Sequence, residues 1–163
     1  MAKKYLIRQV QEKDLPIVAD LDYEAFLPYG TVEDSETFVV RFKAFPAGFI
    51  VLEEGEEIAA YGCSEKWVVE REPGLNENPL ETHQADGRIF CITGMAVRIK
   101  YRGKGYGLAV LDSLIQIARR ENCARIVLET THAQSLYLKR GFQVIRSRRE
   151  RGMELDIMAL KLI

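Results

Sequence analysis

The segment 102–107, with the sequence Arg-Gly-Lys-Gly-Tyr-Gly, carries the clearest chemical signal in the chain. It lies between an apolar run typical of a buried strand and a stretch of leucines at helical spacing. Glycines let the backbone approach a ligand closely, and a helix start presents unpaired N–H groups with partial positive charge. Arg102 and Lys104 add side-chain charge. The segment therefore predicts an anion site suited to a pyrophosphate, with a plain tight turn as the alternative.

Spacing excludes two other phosphate-binding loops. The P-loop pattern G-x-x-x-x-G-K-[ST] is absent from the chain. A dinucleotide fingerprint that began at Gly103 would continue at Gly105, but its third glycine would have to stand at Leu108. The loop also comes late in the chain, without the βαβ unit and ribose-binding carboxylate of a Rossmann fold. Neither nucleotide-binding fold is indicated.

A second pattern lies farther along the chain, at a fixed distance from the first. The first pattern, Arg/Gln-x-x-Gly-x-Gly/Ala, is met by Arg102, Gly105 and Gly107, and the second by Ala133, Tyr137, Gly141 and Phe142. With a predicted helix and strand between these two patterns, the chain resembles the GNAT superfamily of N-acetyltransferases. The specific similarity covers about residues 89–145, whereas the first half of the chain is similar in general layout only.

The resemblance implies that acetyl-CoA is the acyl donor. It places the backbone of the strand segment Met95, Ala96 and Val97 against the pantetheine arm. It places the backbone N–H groups of the glycine-rich segment against the pyrophosphate, so that the cofactor-binding residues there are Arg102, Gly103, Lys104, Gly105, Tyr106 and Gly107. Many relatives begin the second pattern with an Asn that touches the pantetheine. This chain has Thr130 there, whose hydroxyl can fill part of that role.

Acetyl transfer to an amine requires a free lone pair on nitrogen, a stabilised oxyanion and a proton for the departing thiolate. A phenol, with an ordinary pKa of about 10, is protonated at neutral pH and can donate to sulfur. In similar enzymes the tyrosine of the second pattern has that role, so Tyr137 is the expected general acid. The alternative is a tyrosine that only packs between helix and sheet. A backbone N–H near Val97 is expected to meet the oxyanion.

The general base is less clear from the sequence, because an alkylamine is protonated at neutral pH and several groups can take its proton. We place Glu65 first, since the alternation Tyr61, Cys63, Glu65 can direct its carboxylate into the same cleft. The other candidates are Glu70, His83, Asp86 and Glu129. Each of these side chains can equally be a solvated surface residue.

The middle of the chain has a weaker resemblance to the arylalkylamine N-acetyltransferase branch, around Phe45-Pro46, Trp67 and 82–87. In that branch two histidines on the fourth strand relay the amine proton. This sequence has Cys91 and Thr93 at the matching places, so no such relay is expected. Aromatic residues that can line an acceptor pocket, or simply fill the core, are Phe26, Tyr29 and Trp67.

The elements that must position these residues follow an α/β pattern. Strands are predicted at Tyr5–Gln9, 49–53, 58–69, 88–97 and 125–129, with two more after Gly141. Helices are predicted after Asp14, which can cap the first of them, at about 32–44, after 107 and at 133–140. The polar stretch 70–87 is a long loop of the kind that is often functional. We predict one domain over 1–163: a GNAT-like mixed, twisted sheet of about seven strands flanked by about four helices.

Composition is that of an ordinary globular protein. The chain has 163 residues, of which 47% are hydrophobic and 29% are charged, with 23 basic against 24 acidic residues. This balance argues against nucleic acid as a partner, because phosphate binding needs clustered Lys and Arg. The local exception is the basic run Arg146, Arg148, Arg149 and Arg151, which a solvated strand or turn explains most simply.

Cysteine and histidine usage suggests a cytoplasmic protein without a metal centre. Cys63, Cys91 and Cys123 are odd in number and far apart, as expected of buried thiols in a reducing compartment. With His83 and His132 the only histidines, no His-rich metal site is expected. The chain start does not resemble a signal peptide, and no apolar stretch reaches the roughly 20 residues of a membrane helix.

Together these features predict an acyl-CoA-dependent N-acyltransferase. It would transfer the acetyl group of acetyl-CoA to a primary amine of a small molecule, by direct attack in a ternary complex with Tyr137 as general acid. Two alternatives stay open: a protein N-terminal or lysine acetyltransferase, and a catalytically silent acyl-CoA-binding regulatory module. We expect a small-molecule amine as partner, neither nucleic acid nor membrane, and a homodimer through the last strands is compatible with the sequence.

Overall fold

Seven strands form one sheet in the order β1-β2-β3-β4-β5-β7-β6. The computed structural model describes residues 4–150 and 152–163, so Arg151 of the basic run lies outside the described residues. The strands are β1 (Tyr5–Gln9), β2 (Ile50–Glu54), β3 (Glu57–Trp67), β4 (Ile89–Val97), β5 (Arg125–Thr130), β6 (Gln143–Glu150) and β7 (Met153–Lys161). Neighbouring strands are antiparallel except β4 and β5, which are parallel. The predicted mixed sheet of seven strands is confirmed.

Helices cover both faces of this sheet, as predicted. They are α1 (Leu15–Phe26), α2 (Ser35–Ala44), α3 (Pro79–Thr82), α4 (Tyr106–Arg120) and α5 (Gln134–Leu138). Side chains of α1 and α2 share one core cluster with one face of β2 and β3, whereas α4 and Tyr137 of α5 share the other. The helix beyond the expected four is α3, a single turn within the long polar loop.

The amphipathic helix α4 packs directly against the centre of the sheet. Its buried residues include Val110, Leu111 and Leu114, at the spacing of one helix face. Gly62 of β3 lies beneath them, and a Cβ there would come within 2.8 Å of Val110 and 2.9 Å of Leu114. The absent side chain therefore lets α4 lie close to the sheet and positions the glycine-rich segment at its start.

Asp14 occupies the N-cap position of the first helix, as predicted, but its side chain does not cap that helix. Asp14 lies in a short 3-10 turn before α1, and its side chain makes no capping bond to that helix. Its carboxylate instead accepts the Gln11 N–H at 2.7 Å and a bidentate pair from Arg8 at 2.7 and 3.0 Å. The guanidinium of Arg8, bonded to it, keeps the pKa of Asp14 below its usual value.

The cysteines are buried free thiols, as predicted for Cys63, Cys91 and Cys123. In the part of the chain that the structure describes, no helix combines the length and the apolar character needed to cross a membrane.

Candidate active site

The site begins where the two parallel strands separate. β4 and β5 pair only from Ile89–Arg125 to Cys91–Val127. Beyond these pairs β4 stays bound to β3 as far as Val97, and β5 stays bound to β7 as far as Thr130. The edges of β4 and β5 that face each other are therefore free to bind a ligand.

A bulge in β4 lies at the point of separation. Ile92 and Gly94 pair with consecutive residues of β3, so Thr93 is the extra residue of the bulge. The Thr93 hydroxyl lies 3.3 Å from the Cys63 thiol. A bulge bends a strand and increases its twist, which turns the second half of β4 away from β5.

The gap between the strands is a cavity of about 240 Å³ that passes through the sheet. On the face covered by α4 its wall includes Leu128 and Tyr137, which belong to the core cluster of that helix. On the opposite face it reaches Asp22 and Phe26 of α1. The remaining lining residues are Thr31, Glu33, 73–75, 92–95, 129–133, Arg148, Glu150 and Leu155. Two ligands can therefore meet in this cavity from opposite faces of the sheet.

Tyr137, the expected general acid, lies on the wall of the cavity. It is 6% exposed, lines the cavity, and packs edge-to-face on Phe142 at 5.7 Å between ring centres. Burial raises the pKa of Tyr137 well above its usual value, so the phenol stays protonated and can donate. Packing and proton donation are thus compatible roles for this one residue.

Thr130 holds the turn that leads into α5. It is buried and lines the cavity, and its hydroxyl accepts the Ala133 N–H at 3.1 Å. This threonine thus fixes the start of the second pattern. The predicted contact of Thr130 with the cofactor stays a prediction.

The strand residues expected to bind the cofactor do not all face the same way. Met95 lines the cavity, whereas Ala96 is buried in the cluster with α1 and Val97 packs against the cluster with α4. Because β4 pairs with β3 on its other side as far as Val97, its backbone edge toward the cleft is the part available to a ligand.

The glycine-rich segment forms the entrance to α4. Gly103 and Gly105 both have φ of +82°, and an added Cβ would meet nothing within 4 Å at either position. The segment is therefore open to a ligand, and the first N–H groups of α4, which begins at Tyr106, have no partner within the helix. The Arg102 N–H donates to the Ile99 carbonyl at 3.2 Å. Of the segment predicted to bind anions, 103–107 is thus the better candidate.

The two cationic side chains of this segment differ in their surroundings. Lys104 pairs with Glu54 at 3.0 Å, and the Tyr106 hydroxyl donates to the same carboxylate. Arg102 is exposed, with its Nε 3.4 Å from the Val97 carbonyl. Arg102 is therefore the more available cation.

Glu65, the base placed first from the sequence, does not line the cavity. It is 3% exposed, accepts the Trp67 indole N–H at 2.6 Å and the Thr82 hydroxyl at 2.9 Å, and lies 3.8 Å from Arg41. The predicted alternation is present, but the Glu65 side chain anchors the loop that contains Thr82. Its role as base stays an untested prediction that this placement does not favour.

The other candidate bases are scattered. Glu70 pairs with Arg125 at 2.6 Å, Asp86 is exposed, and the His83 ring accepts the Lys66 N–H at 3.1 Å. Only Glu129 of these candidates lines the cavity, where it is ion-paired with Arg148. Burial raises the pKa of Glu129.

The three aromatic candidates for an acceptor pocket do not lie together. Phe26 lines the cavity, and Tyr29 stacks face-to-face on His132 at 4.2 Å between ring centres. Trp67 is 1% exposed and belongs to the core. Burial and the nearby Arg102 lower the pKa of His132.

Two carboxylates on the α1 side of the cavity were not among the sequence candidates. Asp22 is 1% exposed and accepts the Tyr61 hydroxyl at 2.6 Å and the Glu33 N–H at 3.0 Å. Glu33 pairs with Arg41 at 3.2 Å and accepts the Asn76 N–H at 3.0 Å. Burial raises the pKa of both carboxyls. No local sequence pattern marks Asp22 or Glu33, because only the folded chain brings them beside the cleft.

The segment 70–77 of the long loop, which we call the strap, forms the outer wall. Glu72 pairs with Arg146 at 3.0 Å and with Arg148 at 2.8 Å, which ties one end to β6. Asn76 is bonded to Glu33 and accepts the Asp34 N–H at 2.8 Å, which ties the other end to the segment before α2. Between these ties 73–75 line the cavity. Two arginines of the basic run, Arg146 and Arg148, thus hold the strap.

Among residues 4–150 and 152–163, no group of three or more His, Cys, Asp or Glu side chains is placed to hold a metal ion.

Comparison with known proteins identifies the family to which the chain belongs. The sequence model of the Acetyltransferase (GNAT) family matches residues 15–142. The loading GNATL domain of CurA from Lyngbya majuscula is similar in structure, with 12% identity, coverage of 98% of each chain and a TM-score of 0.86. The GphF GNAT-like decarboxylase in complex with isobutyryl-CoA has 14% identity, coverage of 96% of this chain and 98% of that chain, and a TM-score of 0.81.

A third solved structure is yncA from Salmonella typhimurium with its cofactor acetyl-CoA. It is 21% identical, with coverage of 99% of this chain and 95% of that chain, and its TM-score is 0.75. A search of curated proteins found no match. At these identities the structures show the fold alone, whereas the family match covers most of the chain, and the chain therefore belongs to the GNAT acetyltransferase family.

Proposed function

We propose that the protein is an N-acetyltransferase that transfers the acetyl group of acetyl-CoA to a primary amine of a small molecule. The observation that carries this proposal is the cavity through the sheet, where Tyr137 lies on one side and Asp22 and Glu33 on the other. A thioester that enters from the α4 side would place its sulfur near a protonated phenol. An amine that enters from the α1 side would meet carboxylates that attract an ammonium group.

The glycine-rich segment and the free edge of β4 support acetyl-CoA as the donor. Residues 103–107 are open to the approach of a pyrophosphate, and Arg102 can add a charge-assisted bond. The β4 edge beside Met95 can bond the amide groups of pantetheine, as strands bond to an added strand. When bound, acetyl-CoA supplies the activated acetyl group.

The strap supports a small acceptor. It is tied to β6 through Glu72 and to the segment before α2 through Asn76, and so covers the side from which the amine must enter. A cavity of about 240 Å³ that must also hold the thioester leaves space for a small amine. A folded protein acceptor would have to displace these ties.

In the proposed reaction the amine nitrogen attacks the thioester carbonyl directly. A C–N bond forms, the C–S bond breaks, and Tyr137 donates its proton to the departing sulfur. Holding the two substrates together in the cavity supplies much of the acceleration. A β4 backbone N–H near Val97 is our candidate for the oxyanion donor.

The proposal is tested by release of the CoA thiol with acetyl-CoA and a panel of small primary amines. We expect turnover by the wild type and a loss of about 100-fold or more in kcat for Tyr137→Phe, with unchanged acetyl-CoA affinity. Tyr23→Phe is the matched control, since Tyr23 is 53% exposed on α1. Absence of turnover across the panel, with acetyl-CoA bound, would favour the silent acyl-CoA-binding module. Turnover of peptide amines alone would favour the protein acetyltransferase.

A second candidate function is decarboxylation of a carboxyacyl-CoA. It is favoured by Arg148, which lines the cavity and carries a guanidinium of the kind that binds carboxylates. Against it, Arg148 is already paired with Glu72, Glu129 and Glu150. The same assay with malonyl-CoA and no amine separates the two, because only a decarboxylase releases carbon dioxide and forms acetyl-CoA.

A further inference from the structure

The carboxylates on the α1 side of the cavity differ in exposure and in their partners. Asp22 is 1% exposed, so its carboxylate is almost completely shielded, and it holds the Tyr61 hydroxyl and the Glu33 N–H. Glu129 of β5 is held against the guanidinium of Arg148, which also pairs with Glu72 and Glu150. Both side chains are therefore better suited to structure or charge balance than to proton transfer.

Glu33 differs from Asp22 and Glu129. It lies in the segment before α2, lines the cavity, and is held by one contact on each oxygen: Arg41 at 3.2 Å and the Asn76 N–H at 3.0 Å. Each carboxylate oxygen has two acceptor sites, so both oxygens keep one free. The Glu33 side chain is 10% exposed, so it reaches the cavity while its position stays fixed.

We propose that Glu33 is the catalytic base that takes the proton from the acceptor ammonium. This inference rests on the proposed acetyl transfer and adds the residue that makes the amine nucleophilic. Arg41 and Asn76 are positioning residues, because they act through the Glu33 carboxylate.

Burial has the largest effect on the pKa of Glu33 and raises it. Arg41 of α2 and the Asn76 N–H lower this pKa, whereas the nearby Asp22 of α1 raises it. The result is a pKa raised above the usual 4.5 of a glutamate, which makes the carboxylate a stronger base than an exposed one. Glu33 acts in its ionised form, so activity rises with pH through this raised pKa.

The proton balance is complete without a further reactant. The ammonium gives one proton to Glu33, which passes it to solvent, and the free nitrogen then attacks the carbonyl carbon. The adduct nitrogen loses its second proton to solvent, the sulfur gains one from Tyr137, and solvent reprotonates the tyrosine. One proton is released for each amide and CoA thiol formed.

The test compares Glu33→Gln with the wild type on two acceptors. Benzylamine is protonated at neutral pH and needs a base, whereas aniline is already unprotonated. We expect kcat for benzylamine to fall about 100-fold, and kcat for aniline to fall less than tenfold. With benzylamine the wild-type kcat levels off above the Glu33 pKa. The kcat of Glu33→Gln continues to rise up to the pKa of the amine itself.

Controls separate a base from a structural residue. Glu36→Gln changes an exposed glutamate at the start of α2 and should leave both rates unchanged. Glu129→Gln tests the other cavity carboxylate and should not remove the Glu33-dependent plateau. If Glu33→Gln unfolds, Glu33→Asp keeps the carboxylate, and we expect a lower kcat with the plateau retained.

An equal loss for benzylamine and aniline, or a plateau that survives in Glu33→Gln, would overturn the assignment of Glu33 and leave the acetyltransferase intact. Absence of acetyl transfer to either amine, or to any other primary amine, by wild-type protein that binds acetyl-CoA would overturn both. The two failures are therefore distinguishable.

Discussion

At the scale of single residues, buried polar groups beside the cavity have specific hydrogen-bond partners. Asp22 and Tyr61 are almost completely buried and share a hydrogen bond of 2.6 Å. Burial raises the pKa of Asp22 and of Tyr61. A buried carboxylate without its donor bears a desolvation cost, so this bond is expected to hold α1 against β3.

At this scale we predict that Tyr61→Phe destabilises the protein by about 1–3 kcal/mol, because the Asp22 carboxylate loses a donor and stays buried. The measurement is the free energy of unfolding from urea denaturation at neutral pH. Tyr23→Phe removes an exposed hydroxyl from α1 and should change that free energy by less than about 0.5 kcal/mol. Similar losses in the two variants would mean that the buried bond does not stabilise the fold.

Single residues also show which parts of the candidate site can be predicted from the sequence and which cannot. Tyr137 was found because a second pattern with fixed spacing contains it, and the structure places it on the cavity. Glu65 was chosen from alternation along one strand, which predicts the face of a side chain but not its partners. Glu33 had no local signal, since its contacts with Arg41 and Asn76 depend on helix packing and on the strap.

Among the elements, the glycine-rich segment before α4 has the geometry most specific to a ligand. Gly103 and Gly105 have positive φ and open space around them. Positive φ is accessible to glycine at little cost, and the missing side chains leave the N–H groups approachable. The sequence predicted this element well because its information is local: glycines, a helix start and adjacent cations.

For this element we predict that Gly105→Ala weakens acetyl-CoA binding about tenfold. Alanine is strained at positive φ and would shift the backbone, and its methyl group would obstruct the hydrogen bonds between the segment's N–H groups and the pyrophosphate. Its unfolding free energy should fall by about 1 kcal/mol. Gly55→Ala is the matched control: Gly55 has φ of +64° with nothing within 4 Å, in the β2–β3 turn. It should lose similar stability and keep its acetyl-CoA affinity. Equal affinities in the two variants would contradict a phosphate site at 103–107.

The contacts of the strap are the part of the fold that the sequence predicts least. Residues 70–87 were expected to be a loop, and apart from the single turn of α3 this is what the structure shows. Its ties join residues more than 40 positions apart, such as Asn76 to Glu33 and Glu72 to Arg148. Such pairs depend on the full topology, and no periodicity in the sequence reveals them.

On the scale of the whole molecule, the sheet opens at its centre because each inner strand is held from outside. β3 holds β4 and β7 holds β5, so the two parallel strands can separate without losing their other partners. The sequence predicted the seven strands and the helices on both faces from local patterns. The cavity arises from strand pairing between distant segments, so it becomes visible only in the folded chain.

The central claim is that this opening holds acetyl-CoA, and isothermal titration calorimetry of the purified protein tests it most directly. We predict micromolar binding of about one acetyl-CoA per chain and no binding of NAD as control nucleotide. Failure of well-folded protein to bind acetyl-CoA would contradict the account, because both the proposed acetyl transfer and the assignment of Glu33 require the thioester in this cavity.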